Sequence, residues 1–105
     1  MLRYYRLLKA KIEDLNANLD SYLERLKGLA ERYKGRVYIF GSTLRGRAIA
    51  ASDVDVLIEV PDSVDRLEVL HEARRLVPNT KVEIHVLNIS DAKEFKKLVK
   101  TLKPI

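Results

Sequence analysis

The run DVDVLIEV, residues 53–60, constrains this chain more than any other stretch. Val54, Val56, Ile58 and Val60 alternate with Asp53, Asp55, Leu57 and Glu59. Period-two alternation is the pattern of a strand with one buried face. A lone strand cannot bury a face, so the run demands neighbours. Two other segments qualify. RVYIF (36–40) is β-branched and aromatic, and KVEIHVL (81–87) sets Val82, Ile84 and Val86 opposite Glu83, His85 and Leu87. Pro61 stops the middle run.

Helices are expected around these strands. Over residues 2–33, Tyr5, Leu8, Ile12, Leu15, Leu19, Tyr22, Leu26, Leu29 and Tyr33 step alternately by three and four. That is a heptad seam, which either folds back on its own domain or meets another chain. NANLDS (16–21) is a candidate break, with Ser21 and Glu24 as a capping box that restarts the helix, and Gly35 ends it. Asp62 or Ser63 caps a helix running to about Leu76, with Leu67, Leu70, Ala73 and Leu76 on one face; VPNT (77–80) turns the chain. Ser90 or Asp91 caps a last helix to about Leu102.

The order is α-β-α-β-α-β-α. The link from Gly41 to Ser52 is 12 residues, short for a parallel crossover, so the first two strands should pair antiparallel. The second link holds a whole helix, and a right-handed parallel crossover is expected there. The fold class is therefore α/β (α+β), a small mixed three-stranded sheet with flanking helices and a long N-terminal helix. These pairings bring Gly41, Ser42, Asp53, Asp55 and Glu83 to one edge of the sheet. No linker or repeat divides the chain, so 1–105 reads as one domain, with 1–34 a helical region and 35–105 the core.

Asp53 and Asp55 point the same way from one strand, where bare carboxylates repel. A divalent cation removes that cost. Oxygen ligands, in a chain with no cysteine, select a hard ion, Mg²⁺ or Mn²⁺. Glu83 supplies a third carboxylate, and a pair of such ions can activate an attacking oxygen while stabilising a leaving one. Gly41 lets backbone approach a ligand, Ser42 sits where a helix would begin and can hold a phosphate, and Arg45 can neutralise one as a forked donor. A phosphate grip beside carboxylates describes nucleotidyl or phosphoryl transfer. His85 shares the face of Glu83, but an ordinary sheet histidine is the preferred reading. Glu59 lies too far up the strand to join the site.

Gly41-Ser42, ten further residues, then Asp53-Val54-Asp55 resembles the signature of the DNA polymerase beta-like nucleotidyltransferase superfamily. Within it, residues 30 to 100 look like a minimal nucleotidyltransferase. The resemblance implies that Asp53, Asp55 and Glu83 hold the catalytic metals, that Ser42 contacts the triphosphate, and that ATP is a substrate. It also implies a helical HEPN-type protein as partner, to which the chain acts as antitoxin, in some relatives by moving AMP to a tyrosine. Thr43 stands where many relatives have Arg, and Glu83 where many have Asp.

Net charge is +5, and residues 1–11 carry Arg3, Arg6, Lys9 and Lys11 with no acid. Three readings follow: an Mg²⁺-dependent adenylyltransferase acting on a partner protein, an antitoxin that neutralises its partner by contact alone, and a nucleic-acid-associated protein using the basic first helix. The heptad seam makes a homodimer through that helix, or a hetero-complex contact, part of either of the first two. No run of about 18 apolar residues offers a membrane span. The first residues, MLRYYRLLKAKIED, turn charged too early for a secretory signal, and the absence of cysteine adds to the expectation of a cytoplasmic protein.

Overall fold

A computed structural model describes residues 2–41 and 53–105. Helix α1 (Leu2–Arg32) leads into strand β1 (Arg36–Phe40). Strand β2 (Val54–Val60), helix α2 (Arg66–Leu76), strand β3 (Val82–Asn88), helix α3 (Ile89–Leu98) and strand β4 (Lys103–Pro104) follow. The sheet order is β3-β2-β1-β4, with β2 parallel to β3 and β1 antiparallel to both β2 and β4. Both pairings expected from connection length are present. The fourth strand is an addition to the expected three. Two residues containing proline leave no alternation to read, yet Ile105 N–H continues the pairing by donating to Val37 O at 3.1 Å.

The alternating valines form one buried face. Val54, Val56, Ile58 and Val60 join Val37 and Ile39 of β1 and Val82, Ile84 and Val86 of β3. Leu15, Tyr22, Leu26, Leu29 and Ala30 of α1 and Val69 and Ala73 of α2 cover them. Each buried valine, leucine or isoleucine among them contributes about 1.5–3 kcal/mol by leaving water.

Helix α1 runs through residues 16–21 without the expected break. Leu15 and Tyr22 on either side are buried. Tyr22 Oη also donates to Asp14 Oδ2 at 2.5 Å, and Asn18 Nδ2 to Asp14 Oδ1 at 2.9 Å, so packing and local bonds outweigh poor propensity. The seam joins the core from Leu15 onward, with Leu8 and Ile12 half-buried ahead of it. Before it, Leu2, Tyr4, Tyr5 and Leu7 are each more than half exposed. At the other end the helix closes through Lys34, not Gly35. Lys34 takes φ +60°, and Gly35 N–H donates to Ala30 O at 2.7 Å while Lys34 N–H donates to Glu31 O at 3.0 Å. Glycine is required at 35 for a different reason: a Cβ there would lie 2.2 Å from Glu59 O of β2.

The caps also differ from expectation. Asp65 caps α2, accepting from Leu67 N–H at 3.0 Å, and the buried residues of that helix are Val69 and Ala73 while Leu67 is exposed. Asp62 reaches across instead to accept from Ser90 N–H and Oγ–H. Helix α3 follows β3 without a loop, its N-cap is Asn88, and it ends at Leu98, short of Leu102. Asn88 spends its side chain on Pro61 O and Val64 O, at 3.0 and 2.9 Å.

Candidate active site

Pairing register assembles the site. Phe40 faces Asp55, and Asp55 faces Glu83; one row further, Tyr38 faces Leu57 and Leu57 faces His85. Because Val54 and Val56 are buried in the core, Asp55 between them must emerge on the opposite side of the sheet. The same parity puts Glu83 and His85 there. A ligand atom from each of Asp55, Glu83 and His85 falls within 4.8 Å of the others. His85 Nε2 lies 3.8 Å from Asp55 Oδ1. The imidazole packs against two phenyl rings, Phe40 at 5.7 Å and Phe95 of α3 at 6.3 Å between centroids.

Gly41 follows β1 directly, beside this cluster, with φ +82°, and a Cβ there would meet Asp55 Oδ2 at 2.9 Å. The glycine therefore admits the Asp55 carboxylate as well as the left-handed turn. Asp53 is more exposed and sits at the strand entrance. Its Oδ1 lies 3.1 Å from Lys81 Nζ, the residue before β3. Lys81 is positioned in turn by its own N–H, which donates to Asn79 Oδ1 at 2.9 Å.

The electrostatics follow from this crowding. Hydrogen bonding to Asp55 raises the pKa of Glu83 above its ordinary value, helped by the charge of Asp55, by partial desolvation and by Asp53. Two carboxyls that close share a proton unless a cation replaces it. Desolvation lowers the Arg74 pKa, against the pull of Glu83, but the guanidinium stays charged and donates to Val82 O and Asn79 O. The donor set of two carboxylates and an imidazole fits a divalent cation, with Asp53 at the margin of the same edge.

Of the residues expected to converge, Gly41, Asp55 and Glu83 are together, and Asp53 is adjacent but engaged with Lys81. Ser42 and Arg45 lie outside the described residues. Two neighbours of the cluster are not among the residues expected there. His85 reads from sequence as an ordinary sheet histidine, although its spacing of two from Glu83 repeats that of Asp53 and Asp55. Lys81 carries the same signal, two residues before Glu83 on the same parity.

The mixed sheet gathers carboxylates where its antiparallel and parallel pairings meet. Residues 19–105 match the nucleotidyltransferase domain family, and the chain belongs to it. Two crystal structures share its fold, each 21% identical in sequence. One, provisionally named a nucleotidyltransferase, superposes with a TM-score of 0.63 over 79% of this chain and 96% of its own. The other, a similarly named protein from Sulfolobus solfataricus, gives 0.56 over 92% and 84%. No curated protein matches the chain.

Proposed function

We propose that this protein is a cation-dependent nucleotidyltransferase that moves AMP from ATP to a hydroxyl of a partner protein, a tyrosine of a HEPN-type toxin, and so acts as its antitoxin in the cytoplasm. The observation that carries the reading is the row Phe40–Asp55–Glu83, which sets two carboxyls side by side next to Gly41 in a nucleotidyltransferase fold. The HEPN partner and the tyrosine rest on the resemblance of the Gly41-Ser42 to Asp53-Val54-Asp55 signature.

Asp55 and Glu83, with Asp53 at the entrance, would hold Mg²⁺ or Mn²⁺. Such ions supply charge neutralisation on the triphosphate and a more acidic acceptor hydroxyl. The chain's own part is positional. Gly41 leaves room beside Asp55, and Ser42 and Arg45 are assigned to the phosphates. The acceptor oxygen forms a bond to the α-phosphorus, the bond to pyrophosphate breaks in line, and the hydroxyl proton passes to a carboxylate of the cluster. Rate comes from orientation and from charges already in place.

The exposed Leu2, Tyr4, Tyr5 and Leu7 on the first turns of α1 support a protein contact, with the partner or with a second copy of this chain. Among the described residues no helix is long and apolar enough to cross a membrane.

One observation favours a second reading. Asp53 is bound to Lys81, so one of the two expected metal ligands is already paired. A chain that cannot free Asp53 would neutralise its partner by contact alone. The test is label transfer from α-labelled ATP with Mg²⁺ or Mn²⁺, with and without the neighbouring gene's product. The Asp53→Asn/Asp55→Asn variant runs in parallel. Label on the partner, lost in the variant, is the expected result. Silencing of the partner without transfer, retained by the variant, would instead establish the contact-only antitoxin.

A further inference from the structure

We propose that His85 is a direct ligand of the cation at this edge, through Nε2, and that the site consequently favours Mn²⁺ over Mg²⁺. The inference rests on the cation-dependent reading above and adds to it a ligand and a metal preference.

Geometry comes first. The 3.8 Å between His85 Nε2 and Asp55 Oδ1 exceeds hydrogen-bonding distance. It suits two atoms bound to one ion. Ligands about 2.1 Å from a metal stand about 3 Å apart when adjacent and about 4.2 Å apart when opposite. The third donor, from Glu83, lies within 4.8 Å of the other two, so a shift of about 0.6 Å at most brings every pair inside that span.

Preorganisation comes second. Glu83 and His85 are two residues apart on β3, held by a parallel register that runs from Val54↔Val82 to Val60↔Asn88. The two Phe rings that flank the imidazole also touch each other, with centroids 5.4 Å apart. Strand and rings together limit the freedom of the imidazole, so little order has to be gained when a metal arrives.

Ligand chemistry decides the preference. Mg²⁺ takes oxygen ligands and sheds water reluctantly, whereas imidazole binds more strongly to the transition metals. A set of two carboxylates and one imidazole accepts Mn²⁺ without losing a donor. Mg²⁺ would use only the carboxylates and keep water in the place of His85.

The test titrates Mn²⁺ alone into the metal-free full chain, reading free Mn²⁺ by electron paramagnetic resonance. Mg²⁺ is measured by competition, and pulsed resonance looks for nitrogen coupled to the bound Mn²⁺. Nucleotide is left out so that adenine cannot supply the nitrogen. His85→Phe preserves the aromatic packing and deletes the ring nitrogens; His85→Gln checks the result in a second background, and a thermal melt confirms that both fold. The wild type is expected to bind Mn²⁺ at least about tenfold more tightly than Mg²⁺ and to show the nitrogen coupling. His85→Phe should lose the coupling and about tenfold in Mn²⁺ affinity, while Mg²⁺ affinity changes less than about threefold. Bound Mn²⁺ without nitrogen coupling, or equal losses for both ions, overturns the assignment of His85 and leaves the transferase reading intact. Failure of the chain to bind Mn²⁺ also overturns the assignment, and label transfer then judges the transferase reading separately.

Discussion

Replacing Gly35 with alanine should destabilise the protein without touching the site. The added Cβ would stand 2.2 Å from Glu59 O, with Glu59 C and Val60 Cγ1 at 3.2 Å. An ordinary carbon–oxygen contact is about 1 Å longer, and the obstacle is hydrogen-bonded backbone near the C-terminal end of β2 rather than a side chain that can swing away. Either the end of α1 lifts from the sheet or β2 bends. Overpacking of this kind costs about 1–3 kcal/mol, and a backbone obstacle places the variant near the upper end. For a chain of this size about 3 kcal/mol corresponds to a fall in Tm of roughly 10–15 °C. Urea unfolding followed by circular dichroism reads it directly, with the midpoint lowered and the slope unchanged. Gly28→Ala is the control. Nothing lies within 4 Å of a Cβ at that exposed helical position, so it should stabilise by about 0.5–1 kcal/mol. Asp55 is four residues from Glu59 along β2, about 13 Å away, so Mn²⁺ affinity should be the same in both variants. A Gly35→Ala protein as stable as the wild type would refute the claim that close helix–strand approach fixes this glycine.

Three further outcomes are expected. Lys96 Nζ lies 2.9 Å from Glu59 Oε1 and 3.1 Å from Tyr38 Oη, so Lys96→Met removes the cation from a largely buried carboxylate and leaves it the hydrogen bond that Tyr38 Oη donates to Glu59 Oε2 at 3.3 Å; a loss of about 2 kcal/mol in unfolding free energy is expected, against little change in metal affinity. Hydrogen bonds from Tyr22 and then Asn79 hold Asp14 below its ordinary 3.8. Because the folded value is depressed, this stabilisation is complete above 3.8 and is lost as pH falls through the lower folded value. Tyr22→Phe should therefore cost about 1 kcal/mol at neutral pH, and the gap from wild type should close in strong acid. Glu83 has the opposite sign: hydrogen bonding to Asp55 raises its folded pKa, so the proton stabilises the pair below the ordinary 4.5 and that contribution fades as pH rises through the folded value. A metal must displace this proton, so Mn²⁺ should raise Tm more at pH 8 than at pH 5, with proton release measurable by calorimetry in buffers of different ionisation enthalpy.

Much of the fold could be read directly. Alternation at 53–60 and 81–87 sets side-chain parity, and parity decides which residues face the core whatever the sheet order turns out to be, while 36–40 reads as a strand from its β-branched and aromatic residues. Connection length then gave the antiparallel and parallel pairings. Those two facts bring Asp53, Asp55 and Glu83 to one edge of the sheet, and the folded register then sets Asp55 opposite Glu83. What escaped were features set by contacts between distant segments. The helix crosses Asn16–Ser21 because Leu15 and Tyr22 are buried on either side. Asp62 was free to cap its own helix, yet Ser90 of α3 was nearer once the fold closed. β4 exists only because β1 offers an open edge for two residues to pair with.

The site divides along the same line. Sequence by itself determined the carboxylates and their parity, since a strand turns alternate side chains to one side by covalent geometry. Tertiary structure alone decided which of them share a centre. Asp53 and Asp55 look equivalent in DVD, but Lys81 takes the first, while Glu83 and His85 close around the second. Gly35 and Gly41 divide likewise: sequence marks both as breaks, and only the fold shows that one yields to the carbonyl of Glu59 and the other to the carboxylate of Asp55. The physical reason is that parity is local, whereas a partner within 4 Å depends on how strands far apart in the chain are brought into register.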